Sequence, residues 1–146
     1  GLKRVDAKNA ATYDANYNDL VKRLNAKISE WKARMAPHRG KSVVTYHMSQ
    51  IYFLTEFGLK EFGYVEPRPG LQPTPGHISA LASRMKQEQI KAIITEKYRP
   101  RRYADLVAKQ SGAQVVVIPG GIGAEKGTET YFSFMDTIVN RVADAL

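Results

Sequence analysis

The sequence predicts an α/β fold: a four-stranded parallel sheet with helices on both faces, preceded by one long N-terminal connecting helix. Two observations carry this. From Ser42 onward, short β-branched runs alternate with helical patterns over short connections, which calls for parallel strands joined by right-handed crossovers. Ahead of them, Asp6 to about Met35 places apolar residues at spacings of three and four without interruption, the signature of one amphipathic helix.

That helix carries Tyr13, Tyr17, Leu20, Val21, Leu24, Ile28, Trp31 and Met35 on its apolar stripe, with Lys22, Arg23, Lys27, Lys32 and Arg34 mostly between them. Asp6 is the expected N-cap, and Pro37 with Gly40 closes the segment. At about 1.5 Å per residue it runs roughly 45 Å. A domain of about 100 residues is only some 26 Å across by twice its radius of gyration. The far end is therefore expected to project, or to lie against something outside this chain. Basic residues beside an aromatic stripe also describe a membrane-surface helix, but the stripe is long enough to serve as core for a sheet.

The first strand is read at Ser42–Tyr46 and its helix at Ser49–Phe57, with Ser49 as N-cap and Gly58 in the C-cap position. A second strand, Leu59–Val65, leads through a Pro-rich loop to a helix over His77–Gln89. Thr74 caps it and Pro75 takes the first position, a favoured start. The third strand, Lys91–Thr95, precedes helix Arg101–Ser111, which Gly112 ends. The fourth, Gln114–Ile118, is followed by the glycine-rich Pro119–Gly127 and a last helix from about Thr128 to Leu146. Residues 1–41 thus form the connecting helix and turn, and 42–146 the α/β lobe.

The 146 residues, 43% hydrophobic, suffice for one ordinary core. No apolar run nears the roughly 20 residues of a membrane span. Gly1-Leu2-Lys3-Arg4-Val5 has neither the hydrophobic stretch nor the cleavage site of a signal peptide, as expected of a processed terminus, a tag remnant or a piece of something longer. With no cysteine, a metal must be held by His, Asp or Glu, and the composition suits an oxidising compartment. Net charge is +8, and residues 1–41 hold +6 of it. Those cations lie on the outer face of a helix and on no recognisable nucleic-acid module, so no nucleic acid partner is expected.

The candidate chemistry lies at the carboxyl edge of the sheet. In the commonest strand order, 2-1-3-4, strands one and three are neighbours and the topological switch falls between them. His47 follows strand one and Glu96 follows strand three, so both flank that crevice, where ligands bind in open α/β sheets. An imidazole and a carboxylate there can share a divalent cation such as zinc or manganese. The competing reading is a His–Glu hydrogen bond, or Glu96 paired with Lys97, Arg99, Arg101 or Arg102. His77, in the first turn of its helix, reads as a surface histidine. His38 belongs to the opposite edge. The Gly120–Gly127 loop could cradle a phosphate on backbone amides, which leaves a small α/β phosphate- or nucleotide-binding enzyme as the alternative. It has neither Walker nor dinucleotide spacing.

With those residues in place, the chain resembles the C-terminal half of the metal-binding solute-binding proteins of ABC transporters for zinc and manganese, with the TroA-like fold. Val5-Asp6-Ala-Lys-Asn9 through Asn16 looks like the start of that family's backbone helix. Val43-Val44-Thr45-Tyr46-His47, then Tyr52-Phe53 and Phe57-Gly58-Leu59, resembles the segment that supplies a histidine ligand. Lys91–Glu96, Ala108–Val117 and Thr130-Tyr131 match as well. The resemblance implies that His47 is a metal ligand and that Glu96 occupies a common acidic position in the cleft, a weaker candidate. Where the family often places an Asp ligand after the last strand, this sequence has Pro119-Gly-Gly-Ile-Gly123. The resemblance further implies no catalysis, a periplasmic or extracytoplasmic lipid-anchored location, and a membrane permease as partner. An N-terminal lobe supplies the family's other ligands and is not in this chain, so a homodimer could form through the exposed lobe or helix surface.

Overall fold

The computed structural model describes residues 1–68 and 70–146; Pro69, in the Pro-rich loop, lies outside the described residues. Two units are distinguished, Gly1–Ala33 and Arg34–Leu146. In the first, α1 (Leu2–Val5) and a 3-10 turn at Ala7–Asn9 lead into α2 (Ala10–Met35), which continues into the second unit. Asp6 therefore caps no long helix. It stands at the break, where its carboxylate accepts hydrogen bonds from the Asn9 amide and the Tyr13 hydroxyl, each at 2.8 Å. These bonds, Asn9 first, hold the Asp6 carboxyl below its usual range.

The second unit contains β1 (Ser42–Thr45), α3 (Ile51–Phe57), β2 (Lys60–Tyr64), α4 (Pro75–Gln87), β3 (Ala92–Glu96), α5 (Arg101–Ser111), β4 (Gln114–Ile118) and α6 (Tyr131–Ala145). The sheet is parallel throughout in the order β2-β1-β3-β4, as expected. Alternation along each strand sends successive side chains to opposite faces. Val44, Tyr46 and Ile93 pack with Ile78, Leu81 and Met85 of α4 and Ala104 and Val107 of α5. On the other face α6 lies against β3 and β4, burying Ile138, Val139, Val142 and Ala143.

Several local readings shift. Thr74 caps α4 as expected, its hydroxyl accepting from the His77 amide, with Pro75 in the first turn. The last helix starts later than Thr128, because Thr130 and Ser133 form a reciprocal capping box. Ser49 is not the cap of α3. Gln50 holds that position without a side-chain bond, and the Ser49 hydroxyl is committed elsewhere.

Gly58 closes α3 in the left-handed conformation at φ +69°, its amide reaching the carbonyls of Leu54 and Thr55. A Cβ there would also stand 3.3 Å from the Arg39 guanidinium carbon. Gly58→Ala is expected to cost about 1 kcal/mol, read as a drop in melting temperature of roughly 3 °C. An unchanged melting temperature would contradict the strained cap.

Candidate functional site at the carboxyl edge of the sheet

Register sets the geometry. Val44 and Thr45 pair with Ile93 and Ile94, and the Tyr46 amide donates to the Ile94 carbonyl at 2.7 Å. Extending that register brings the chain after β1 level with the end of β3, at the switch between the crossover that leaves β1 for β2 and the one that leaves β3 for β4. His47 is half-buried there. Its carbonyl accepts from the Ser49 amide at 2.8 Å, a tight turn. Among the described residues its imidazole makes no hydrogen bond. A histidine with both ring nitrogens unengaged is available as a ligand or a proton carrier.

Glu96 is the last residue of β3 and is 4% exposed. A buried carboxylate must be paired, and its partners come from the loop that carries His47. Oε1 accepts from the Ser49 hydroxyl, and from the Gln50 amide at 3.0 Å. Oε2 lies 3.7 Å from the Arg99 Nε. Of the four cations weighed as partners, Arg99 is the one that reaches it. The Arg99 guanidinium also stands 4.0 Å from Glu66 Oε2 and 5.9 Å above the Tyr46 ring. Glu66 in turn accepts from the Gly70 amide at 2.8 Å. Burial pushes the Tyr46 phenol up, and the Glu66 carboxylate adds to it.

The other candidates fall away from this edge or are occupied. His77 Nε2 donates to the Tyr64 carbonyl at 3.0 Å. His38 sits before β1, with Nδ1 accepting from Lys41 at 3.2 Å; burial, Lys41 and Arg34 lower its pKa. The second half of the glycine-rich loop has turned most of its amides inward. Those of Gly123, Ala124, Glu125, Gly127 and Thr128 donate to acceptors within 121–129. The Gly127 amide also holds the Glu129 carboxyl below its usual range. An anion cradle needs free amides pointing at the ligand, so this loop argues against the phosphate reading. At its start Gly120 lies under Tyr98, whose ring would come within 2.5 Å of a Cβ there. Lys97, Tyr98, Gly120, Gly121 and Ala124 line a cavity of about 340 Å³ beside it.

Residues 1–145 match the profile of ZnuA, described as zinc-uptake complex component A, periplasmic. The chain belongs to that family. Among its relatives is the zinc-binding protein AdcA of Streptococcus pyogenes serotype M6, 24% identical, matched over 92% of this chain and 27% of AdcA. The manganese-binding lipoprotein MntA of Halalkalibacterium halodurans is 26% identical over 95% of this chain and 49% of its own. The solute-binding protein FpvC of Pseudomonas aeruginosa, solved in complex with Mn²⁺, superposes with a TM-score of 0.70 at 28% identity, covering 99% of this chain and 57% of FpvC. The chain thus spans about half the length of two of these proteins and about a quarter of AdcA.

Within this ZnuA-family chain, the donors available to a cation at this edge are few. Among the described residues no three His, Cys, Asp or Glu side chains gather into a group that could hold a metal ion. A free imidazole at His47 has the chemistry of a first-row metal donor; Glu96 fits less well, because both its oxygens already face donors. Zinc sites take three or four protein ligands, more than His47 and Glu96 offer. Sequence reasoning missed Glu66, Ser49 and Gln50 as members of the site. Only their positions just after strands one and two could have flagged them. Among the described residues, no helix is long and apolar enough to cross a membrane.

Proposed function

We propose that this chain is the C-terminal lobe, with its connecting helix over 1–41, of a two-lobed protein that captures zinc, or manganese as runner-up, and delivers it to an ABC permease. His47 is the ligand from this lobe, as a neutral imidazole, and Glu96 is the weaker second donor. The remaining donors come from an N-terminal lobe closing over the carboxyl edge. The ion is cargo, and no bond is made or broken in this reading. Its setting is the periplasm or a lipid-anchored position outside the cytoplasm.

The observation that carries the reading is the unengaged His47 imidazole at the switch point of a ZnuA-family sheet. The rim around it supports a covered cleft: Met48, Tyr52, Leu71, Tyr98 and Ile122 are large, apolar and exposed at this edge, the kind of patch that marks an interface. Tyr17 and Leu20 on α2 are exposed too, and a second copy of the chain is the other occupant such a stripe would accept.

Calorimetric titration with zinc and manganese tests the proposal on two proteins, the 146-residue chain and one with an upstream lobe in place. Tight zinc binding is expected in the two-lobed protein, and at least hundredfold weaker binding in the single lobe, since affinity follows the number of donors. Failure of both to bind either metal would overturn the reading. Thermal protection by phosphate or a nucleotide would then bring the enzyme alternative forward.

A further inference from the structure

Arg99 is placed oddly for a surface arginine. Its side chain is 28% exposed, and it stands between two carboxylates that are more buried still, Glu96 at 6% and Glu66 at 12%. Its Nε is buried and has no hydrogen-bond partner. The approaches of 3.7 Å to Glu96 and 4.0 Å to Glu66 are too long for hydrogen bonds. They are short enough for a full unit of charge to act on both carboxylates in a partly desolvated setting. Tyr98, with its ring centroid 5.1 Å from the guanidinium carbon, and Tyr46 below it help hold the cation in place through their ring faces. The arginine follows Glu96 in a turn closed by its own amide, which donates to the Glu96 carbonyl at 3.0 Å. It cannot easily drift away.

We propose that Arg99 sets the metal preference of this lobe, by neutralising Glu66 and Glu96 so that the neutral His47 imidazole dominates what a cation meets. The inference rests on the metal-binding reading above. Its physical basis is the difference between donors. Manganese and calcium favour carboxylate oxygens, whereas zinc accepts imidazole readily. An ion that must draw its affinity from Glu96 does so against a guanidinium already facing Oε2. An ion that draws it from imidazole is opposed less. Arg99 thereby tilts the site toward zinc.

The test is the ratio of zinc to manganese affinity, measured by calorimetry in the two-lobed protein and its variants. In Arg99→Gln, manganese should bind at least tenfold more tightly while zinc changes by threefold or less. Arg99→Lys keeps the charge and should keep the original ratio. Glu66→Gln works in the opposite direction and leaves the arginine in place: with one partner gone, the guanidinium acts on Glu96 alone. Manganese should then weaken about threefold relative to zinc. This variant keeps the idea testable if Arg99→Gln fails to fold.

An unchanged ratio in Arg99→Gln, with zinc binding intact, would overturn the role of Arg99 and leave the metal reading standing. So would a Glu66→Gln variant in which manganese gains on zinc. Absence of zinc binding in the unsubstituted protein would instead overturn the metal reading, and this inference with it.

Discussion

In the two-lobed protein, His47→Ala should lose at least tenfold in zinc affinity by calorimetry, about 1.4 kcal/mol for each factor of ten. The imidazole is half-buried at the crevice and makes no hydrogen bond among the described residues. Its removal therefore deletes a donor without breaking a hydrogen bond, and the fold should survive. Glu96→Gln is the informative comparison. A glutamine keeps an oxygen to accept from Ser49 and Gln50 but loses the charge, so the loop should stay tied while a weak ligand is lost. The expected order is a large loss at His47 and only a few-fold loss at Glu96. Unchanged zinc affinity in His47→Ala would exclude the ligand role. A larger loss at Glu96 than at His47 would reverse the assignment of donors and make the carboxylate the principal ligand.

What could be read from the sequence was whatever its neighbours along the chain decide. The apolar, mostly β-branched runs Val43-Val44, Ala92–Ile94 and Val115–Ile118 announce strands because a parallel sheet covered on both faces favours continuous apolar runs. Pro75 and Thr74 mark a helix start through contacts three residues long, and Gly112 marks an end through its own φ of +79°. The crevice followed from strand order, and with it the placement of His47 and Glu96 at one edge.

What escaped the reading was decided across the fold. Ser49 has the composition of a cap, and Glu96, 47 residues away, claims its hydroxyl. The pairing of Glu66 with Arg99 joins two loops that meet only because β2 and β3 flank β1. Asp6 looked like an N-cap because nothing local disclosed the break in the helix between Val5 and Ala10. Site chemistry is less legible than fold for the same reason: a strand is specified by its own residues, but a buried carboxylate is specified by whichever donors the topology delivers to it.

The strongest test of that topology is Ile93→Ala. Ile93 is fully buried on the central strand β3, which pairs with β1 on one side and β4 on the other, and it packs under α4 and α5 in the main core cluster. Truncation removes three buried carbons from a site walled by sheet on both sides, where backbone cannot collapse to fill the space. A cost of about 3 kcal/mol is expected, within the usual 2–5 for such a change. That is a large share of a typical domain's 5–15 kcal/mol. Urea unfolding should show a lower midpoint with an unchanged slope, because the surface exposed on unfolding hardly changes. Leu106→Ala, on an exposed position of α5, should stay within about 0.5 kcal/mol. The folded fraction of Ile93→Ala should still bind zinc normally when joined to its second lobe, since the hydrogen bonds that hold Glu96 come from Ser49 and Gln50 and not from the core beneath. A shift below 1 kcal/mol would mean that β3 is not the packed centre of the sheet. Lost zinc affinity in the folded fraction would mean that the core and the carboxyl edge are coupled, and that Glu96 is held by the packing beneath it as well as by Ser49 and Gln50.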